Sequence, residues 1–386
     1  VLLGISEWSL DLSLHHIVND FFMALFFLVV GLELKREILS GELSEFKRAI
    51  IPIAAAAGGM IVPASIYLAF NIGTGGSVGW GVPMATDIAF TLGVLALLGS
   101  RVPTSMKVFA AALAVIDDLG AILVLAIGYN HGISWAALAA AGGLMAVLMG
   151  FNAARVYRLW PYLIVGTLLW AAVYSSGLHA TIAGVLVAVT IPERERPSII
   201  PMLAGITSSA PQFMHHLQTS NVSEDAGWHY FARRIREIDL RLRSPASRLE
   251  HALQPWSQYF ILPVFALANA GIELSINNVR PTDHVVIGIF LALVVGKPVG
   301  IFAGAWLIDR LGLGRKPDDA TWPQVLGVGM LCGIGFTMSI FIANEAFGGT
   351  EELAAAKLAV IAASLVAGLV GFIFLFGTSK DDGKTI

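Results

Sequence analysis

Long apolar runs, repeated from one end of the chain to the other, limit its folding more than any other feature. A membrane-spanning helix needs about 20 mostly apolar residues. Candidate spans fall at 15–34, 49–70, 81–98, 107–127, 134–150, 159–175 and 177–191, then at 255–272, 285–308, 323–344 and 353–376, eleven in all. The loops between the first seven are mostly short and marked by turn formers, as in Asn71-Ile72-Gly73 and Asn130-His131-Gly132. Only 13% of the 386 residues are charged and 56% are hydrophobic, whereas a soluble domain carries roughly a quarter charged residues. The solvent around this chain is therefore lipid. The single cysteine, Cys332, excludes an internal disulfide and a cysteine-built metal site. The arginines are scattered over short loops and one tail rather than gathered on a domain, so nothing points to nucleic acid, and no cleavable secretory signal is visible.

The basic residues orient the spans. One set of loops holds Lys35, Arg36, Lys47, Arg48, Arg101, Lys107, Arg155 and Arg158. The same side takes the cluster between Arg194 and Arg248, then Arg310, Arg315, Lys316, Lys380 and Lys384. The opposite loops hold Arg280, with Lys357 near the start of the last span. Such asymmetry marks the basic side as cytoplasmic. It places the C-terminus in the cytoplasm and Val1 outside, and a further span before Val1 is the expectation, in keeping with the absent methionine. The chain divides into transmembrane spans at 1–191, a cytoplasmic linker at 192–254, further spans at 255–376 and a tail at 377–386. Within the linker Phe231, Ile235, Ile238 and Leu242 recur at helical spacing, with Arg233, Arg234, Arg236, Arg241 and Arg243 on other faces. Two readings stand: a basic amphipathic helix on an anionic leaflet, or a solvated charged linker.

Charged residues inside the spans point to function, because each costs roughly 2.5–3.5 kcal/mol or more at a helix centre. Four stand out: Asp87, the adjacent pair Asp117 and Asp118, and Lys297. Neighbours on a helix point about 100° apart, so the paired carboxylates address one cavity from adjacent directions, or one of them meets a partner instead. Close carboxylates in a low dielectric resist joint ionisation. A hard cation such as Na⁺ and a proton then compete for the same oxygens. The plainer alternative is a structural salt bridge from one aspartate to Lys297; the second aspartate favours both jobs at once.

Two spans are poorly built for continuous helix, around Gly79-Trp80-Gly81-Val82-Pro83 and Gly327-Val328-Gly329 to Gly333-Ile334-Gly335. Irregular backbone at membrane depth survives inside protein or beside a water-filled cavity. Each is the middle span of a group of three, 49–127 and 285–376, and corresponding interrupted spans point to a site between inverted repeats. Where two such helices cross, facing positive ends suit Asp87 and facing negative ends suit Lys297.

The stretches Gly31-Leu32-Glu33-Leu34-Lys35-Arg36-Glu37, Ala85-Thr86-Asp87-Ile88-Ala89-Phe90, Ile116-Asp117-Asp118-Leu119-Gly120-Ala121, Gly296-Lys297-Pro298 and Cys332-Gly333-Ile334-Gly335-Phe336-Thr337 resemble the bacterial NhaA sodium/proton antiporters. The resemblance runs from about Asp11 to Phe376. It implies an all-α polytopic membrane protein of the bacterial inner membrane, with inverted repeats and a broken fourth and eleventh helix that cross. It implies electrogenic exchange of Na⁺ or Li⁺ for H⁺, with no cofactor and no enzymatic reaction, and a homodimer among the partners. By resemblance Asp118 is the principal carboxylate for cation and proton, Asp117 its partner in contact with Lys297, and Thr86 and Asp87 line the crossing. Glu33, Arg36, Glu37, Glu250 and His251 lie at a cytoplasmic mouth associated with pH activation. His179 matches a family histidine near the outer side, where a packing role is the simpler reading.

The chain also departs from the family. The first helix is absent, the extracellular hairpin survives at most in Val1 to Leu14, and the segment from Pro192 to Ser244 is much longer than usual. Gln254 and Ser247 replace a histidine and a lysine common there. Competing functions fit less well. A proton-coupled solute symporter lacks an intramembrane arginine to clamp an organic anion. An intramembrane aspartyl protease lacks its aspartate motifs, and a passive channel does not need adjacent protonatable carboxylates.

Overall fold

The computed structural model describes residues 2–5, 8–11, 17–129, 132, 134–193, 244–269, 282–314, 316–317 and 319–378. Two strands, β1 (Leu2–Ile5) and β2 (Trp8–Asp11), pair antiparallel with Ile5 opposite Trp8. Helices make up the rest. A π-helical turn (Ile17–Phe22) leads into α1 (Met23–Ser40), and then α2 (Phe46–Asn71) follows. A 3-10 segment (Gly75–Met84) and α3 (Ile88–Leu97) form one bent pair, before α4 (Thr104–Gly128), α5 (Trp135–Ala153), α6 (Trp160–Ser175) and α7 (Ile182–Thr190). After the undescribed 194–243 come α8 (Pro245–Trp256) and α9 (Leu262–Asn269), joined by a π turn at Ser257–Ile261. Another π turn, Ala292–Gly296, joins α10 (His284–Leu291) to α11 (Lys297–Arg310). The last elements are α12 (Trp322–Leu331), α13 (Phe336–Phe347) and α14 (Glu352–Thr378).

Among the described residues five helices are long and apolar enough to cross a membrane, or seven if each bent pair counts as one span. The proposed amphipathic helix around Phe231, together with Arg280, Lys380 and Lys384, lies outside the described residues. One boundary differs from the sequence expectation: the helix ahead of the eighth span begins at Pro245, ten residues before 255. Ser244 caps it by accepting a hydrogen bond from the Ser247 amide (3.0 Å), and Pro245 suits the first turn, where no amide is needed.

Small residues let helices meet backbone to backbone. A Cβ on Gly58 would sit 2.1 Å from the Gly300 carbonyl oxygen, and one on Gly304 would sit 2.1 Å from that of Ala54. The first helix of one three-helix group, α2, is thereby pressed onto α11 of the other. Lipid supplies no hydrophobic drive between helices, so close van der Waals contact through small residues does this work.

The two bends are 43° between the 3-10 segment and α3, and 50° between α12 and α13. Their breaks touch. The Asp87 amide donates to the Ile334 carbonyl (2.7 Å), the Thr91 hydroxyl donates to the carbonyl of Leu331 (3.2 Å), and the Thr86 hydroxyl oxygen lies 3.1 Å from the carbonyl of Cys332. On the far side Ser364 of α14 accepts the amides of Gly335 (3.2 Å) and Phe336 (3.1 Å). Backbone groups freed by each break are thus satisfied inside the protein, the condition for irregular chain at this depth.

Candidate ion-binding site

Each charge that stood out in the spans lies at these breaks. Lys297 and Asp117, both fully buried, form an ion pair at 2.8 Å. The Lys297 ammonium also donates to the Met84 carbonyl, at the C-terminal end of the 3-10 segment, where helix carbonyls lack partners. Thr86 donates to Asp117 Oδ2 (2.6 Å), so this one oxygen takes both contacts. Asp87 caps two helices at once. It accepts from the Phe90 amide (3.3 Å) in the first turn of α3, and from both the amide (3.0 Å) and the hydroxyl of Thr337 in the first turn of α13. The positive ends of two helix dipoles thus face one carboxylate, and a negative end faces one ammonium.

Asp118 differs. It is fully buried, and neither carboxylate oxygen has a hydrogen-bond partner. Asp117 Oδ1 is likewise unpartnered. Asp118 and Asp87 line a cavity together with Val29, Val30 and Glu33 of α1, Gln254 and Ser257. A buried carboxylate without a hydrogen-bond partner is costly unless it holds a proton or a cation. Among the described residues no three His, Cys, Asp or Glu side chains converge as a metal site. A cation here would meet the aspartates with hydroxyl or carbonyl oxygens, donors that suit hard ions.

Glu33, which lines the same cavity, belongs to a charged cluster. Arg36 forms an ion pair with Glu250, which is 1% exposed, and lies 3.6 Å from Glu37 and 3.9 Å from Glu33. Glu33, Arg36, Glu37 and Glu250 therefore meet, and His251, next to Glu250, is exposed. Burial pushes the Glu250 carboxyl up to about 7; Arg36 pulls the other way, and Glu33, Glu193 and Glu37 add to the rise. The ion pair and the raised value coexist because burial outweighs the single cation.

The sequence reading missed Glu193. Its Oε1 accepts from Ser244 (3.1 Å), and burial raises its carboxyl while Lys35 and Arg36 oppose the rise. It sits in a charged loop with no apolar context, so nothing in the sequence separated it from its neighbours. Lys35, read only as an orienting charge, crosses to α7 and donates to the carbonyls of Val189 (2.7 Å) and Ile191, capping that helix.

A predominantly helical, multi-span membrane protein whose two broken helices meet around buried carboxylates and a buried lysine has the features of a secondary transporter. The Na+/H+ antiporter 1 family profile matches residues 1–375. The chain is 46% identical over 377 residues to the Na(+)/H(+) antiporter NhaA of Wolinella succinogenes, covering 96% of this chain and 82% of that protein. It is 45% identical over 379 residues to that of Oleidesulfovibrio alaskensis (97% and 84% covered) and 44% over 381 to that of Helicobacter pylori strain 26695 (97% and 85%). The chain belongs to the Na+/H+ antiporter 1 family.

Proposed function

We propose that this protein exchanges Na⁺ or Li⁺ for H⁺ by competition at Asp118, with Asp117 as its neighbour. The observation that carries the reading is the buried Asp118 carboxylate, unpartnered on both oxygens and lining a cavity. A cation entering past Glu33 favours the charged carboxylate and expels its proton; a returning proton expels the cation. Family membership supports the same ions, since relatives are named for them. The family resemblance implies an electrogenic cycle, in which more than one proton moves per cation. Glu33, Arg36, Glu37, Glu250 and His251 set the pH range without touching the ion. The lopsided arginine and lysine count supports an inner-membrane orientation with the Arg36 end and the C-terminus in the cytoplasm. The β1–β2 pair supports a homodimer built on terminal hairpins.

Everted membrane vesicles carrying a pH-sensitive dye test the exchange. Na⁺ added to acidified vesicles should release lumenal protons, with a marked dependence on pH. Vesicles whose lumen stays acid after Na⁺ and Li⁺ at every pH from 6.5 to 9 would refute the reading.

A further inference from the structure

At the end of the bundle away from Arg36 a second set of polar side chains meets among apolar helices. Asn269, buried at the end of α9, donates to Asn19 (2.8 Å) and accepts from Asn344 (2.7 Å). This knot ties together the start of the first span, α9 and α13. In two of those elements the next residue is a carboxylate, Asp20 and Glu345. Glu345 Oε2 lies 3.5 Å from Nε2 of His179, which stands in the turn before α7. The asparagine knot brings Asp20 to the same end of the bundle as Glu345, and Phe21, next to Asp20, packs edge-on against Trp170, which stacks on Tyr174 of α6. Two carboxylates, a phenol and an imidazole from four segments thus share one corner of low dielectric. Asp20 and Glu345 repel each other when both are ionised, and a proton held between Glu345 and His179 relieves that repulsion.

The corner is separate from the ion site. Glu345 lies eight residues beyond Thr337 on α13, about 12 Å along the helix. Midway between them Phe341 is fully buried, with ring centroids 6.0 Å from Phe27 and 5.9 Å from Phe265. An aromatic plug therefore lies between Asp87's partner Thr337 and the outer carboxylate, while the cavity at Asp118 is lined by Glu33.

We propose that Glu345, with His179 and under the influence of Asp20, is a second proton-binding group, loaded from the membrane face opposite Arg36. It takes a proton from water on that face and passes it to the Asp118 carboxylate when the Phe341 plug parts; one O–H or N–H bond breaks as another O–H forms. The inference rests on the exchange reading above, so its test separates the two. Right-side-out and everted vesicles present the Glu345 face and the Arg36 face to the bath in turn, with lumenal pH clamped. Wild-type flux in either orientation establishes exchange. Glu345→Gln should then move the bath pH of half-maximal flux about one unit to acid when the Glu345 face is outside, a roughly tenfold loss at alkaline pH. It should leave the midpoint unchanged with the Arg36 face outside, and Glu345→Asp should restore the wild-type profile. An equal shift in both orientations, no shift, or flux lost even at acid bath pH overturns the proposal. Absent wild-type flux counts against exchange alone. The pair is then judged by melting temperature against pH in detergent, where identical curves for wild type and Glu345→Gln overturn it.

Discussion

Replacing Lys297 by Gln should unmake a specific balance of charge. The ammonium is fully buried, lies 2.8 Å from Asp117 and donates to the Met84 carbonyl. Removing one partner of a buried ion pair typically costs about 3–5 kcal/mol, because the other charge stays behind. Here the Thr86 hydroxyl remains on Asp117 Oδ2 at 2.6 Å, which holds the loss near the lower end. The orphaned Met84 carbonyl adds back about 1 kcal/mol, so a net loss of about 3–4 kcal/mol is expected near neutral pH. Cys332 supplies the assay: it is the single thiol and is fully buried, so a thiol-reactive fluorogenic dye reports unfolding on heating in detergent. Lys297→Gln should melt well below wild type. Lys297→Gln/Asp117→Asn, which removes both charges, should recover at least half of the difference. The sign with pH follows from the carboxylate. An ionised Asp117 gains from Lys297 and a protonated one does not, so the deficit should be full at high pH and shrink as pH falls. Additive losses in the double variant, or a deficit that grows towards acid pH, would refute the charge-compensation argument.

Asp118→Asn should abolish Na⁺-driven proton release while leaving the melting temperature equal to or above wild type, since it removes a buried carboxylate that has no partner; normal exchange at matched expression would sink the site. Glu250→Gln should shift the pH of half-maximal exchange more than it alters apparent Na⁺ affinity at the optimum. Because the folded carboxyl is raised to about 7, its contribution to stability is present below about pH 4.5 and lost as pH rises towards 7. The melting temperature of the variant minus that of wild type should accordingly rise with pH across that window, and a difference that falls there would count against it. Gly300→Ala places a Cβ 2.1 Å from the Gly58 carbonyl oxygen, so α2 and α11 must separate. Overpacking of this kind costs about 1–3 kcal/mol or more, and folded yield equal to wild type on gel filtration would show that the contact is loose.

The site was legible in the sequence because lipid turns a charge into a signal. Asp87, Asp117, Asp118 and Lys297 are the charges set within apolar runs, and an apolar run tolerates a charge only where protein or water receives it. The breaks were legible for a related reason: glycine and proline at spacings hostile to helix stand out where every other residue favours one. Other features carry no such contrast. The π turns at Ile17–Phe22, Ser257–Ile261 and Ala292–Gly296 arise when side chains from several helices pack together, and a single helix's pattern does not encode them. Asn19, Asn269 and Asn344 are uncharged and lie up to 325 residues apart, so their meeting depends on how three helices dock. Glu345 fell one residue past an expected span end, where a carboxylate is unremarkable by itself. Its interest comes from a neighbour 166 positions earlier, His179. Both sites obey the same rule all the same: a polar group in a membrane protein is stable where another segment answers it. At Asp87, Asp117 and Lys297 the answer is in place, in two helix N-termini, a threonine and an ion pair. At Asp118 it is missing, and that gap is the strongest reason to place the moving ion there.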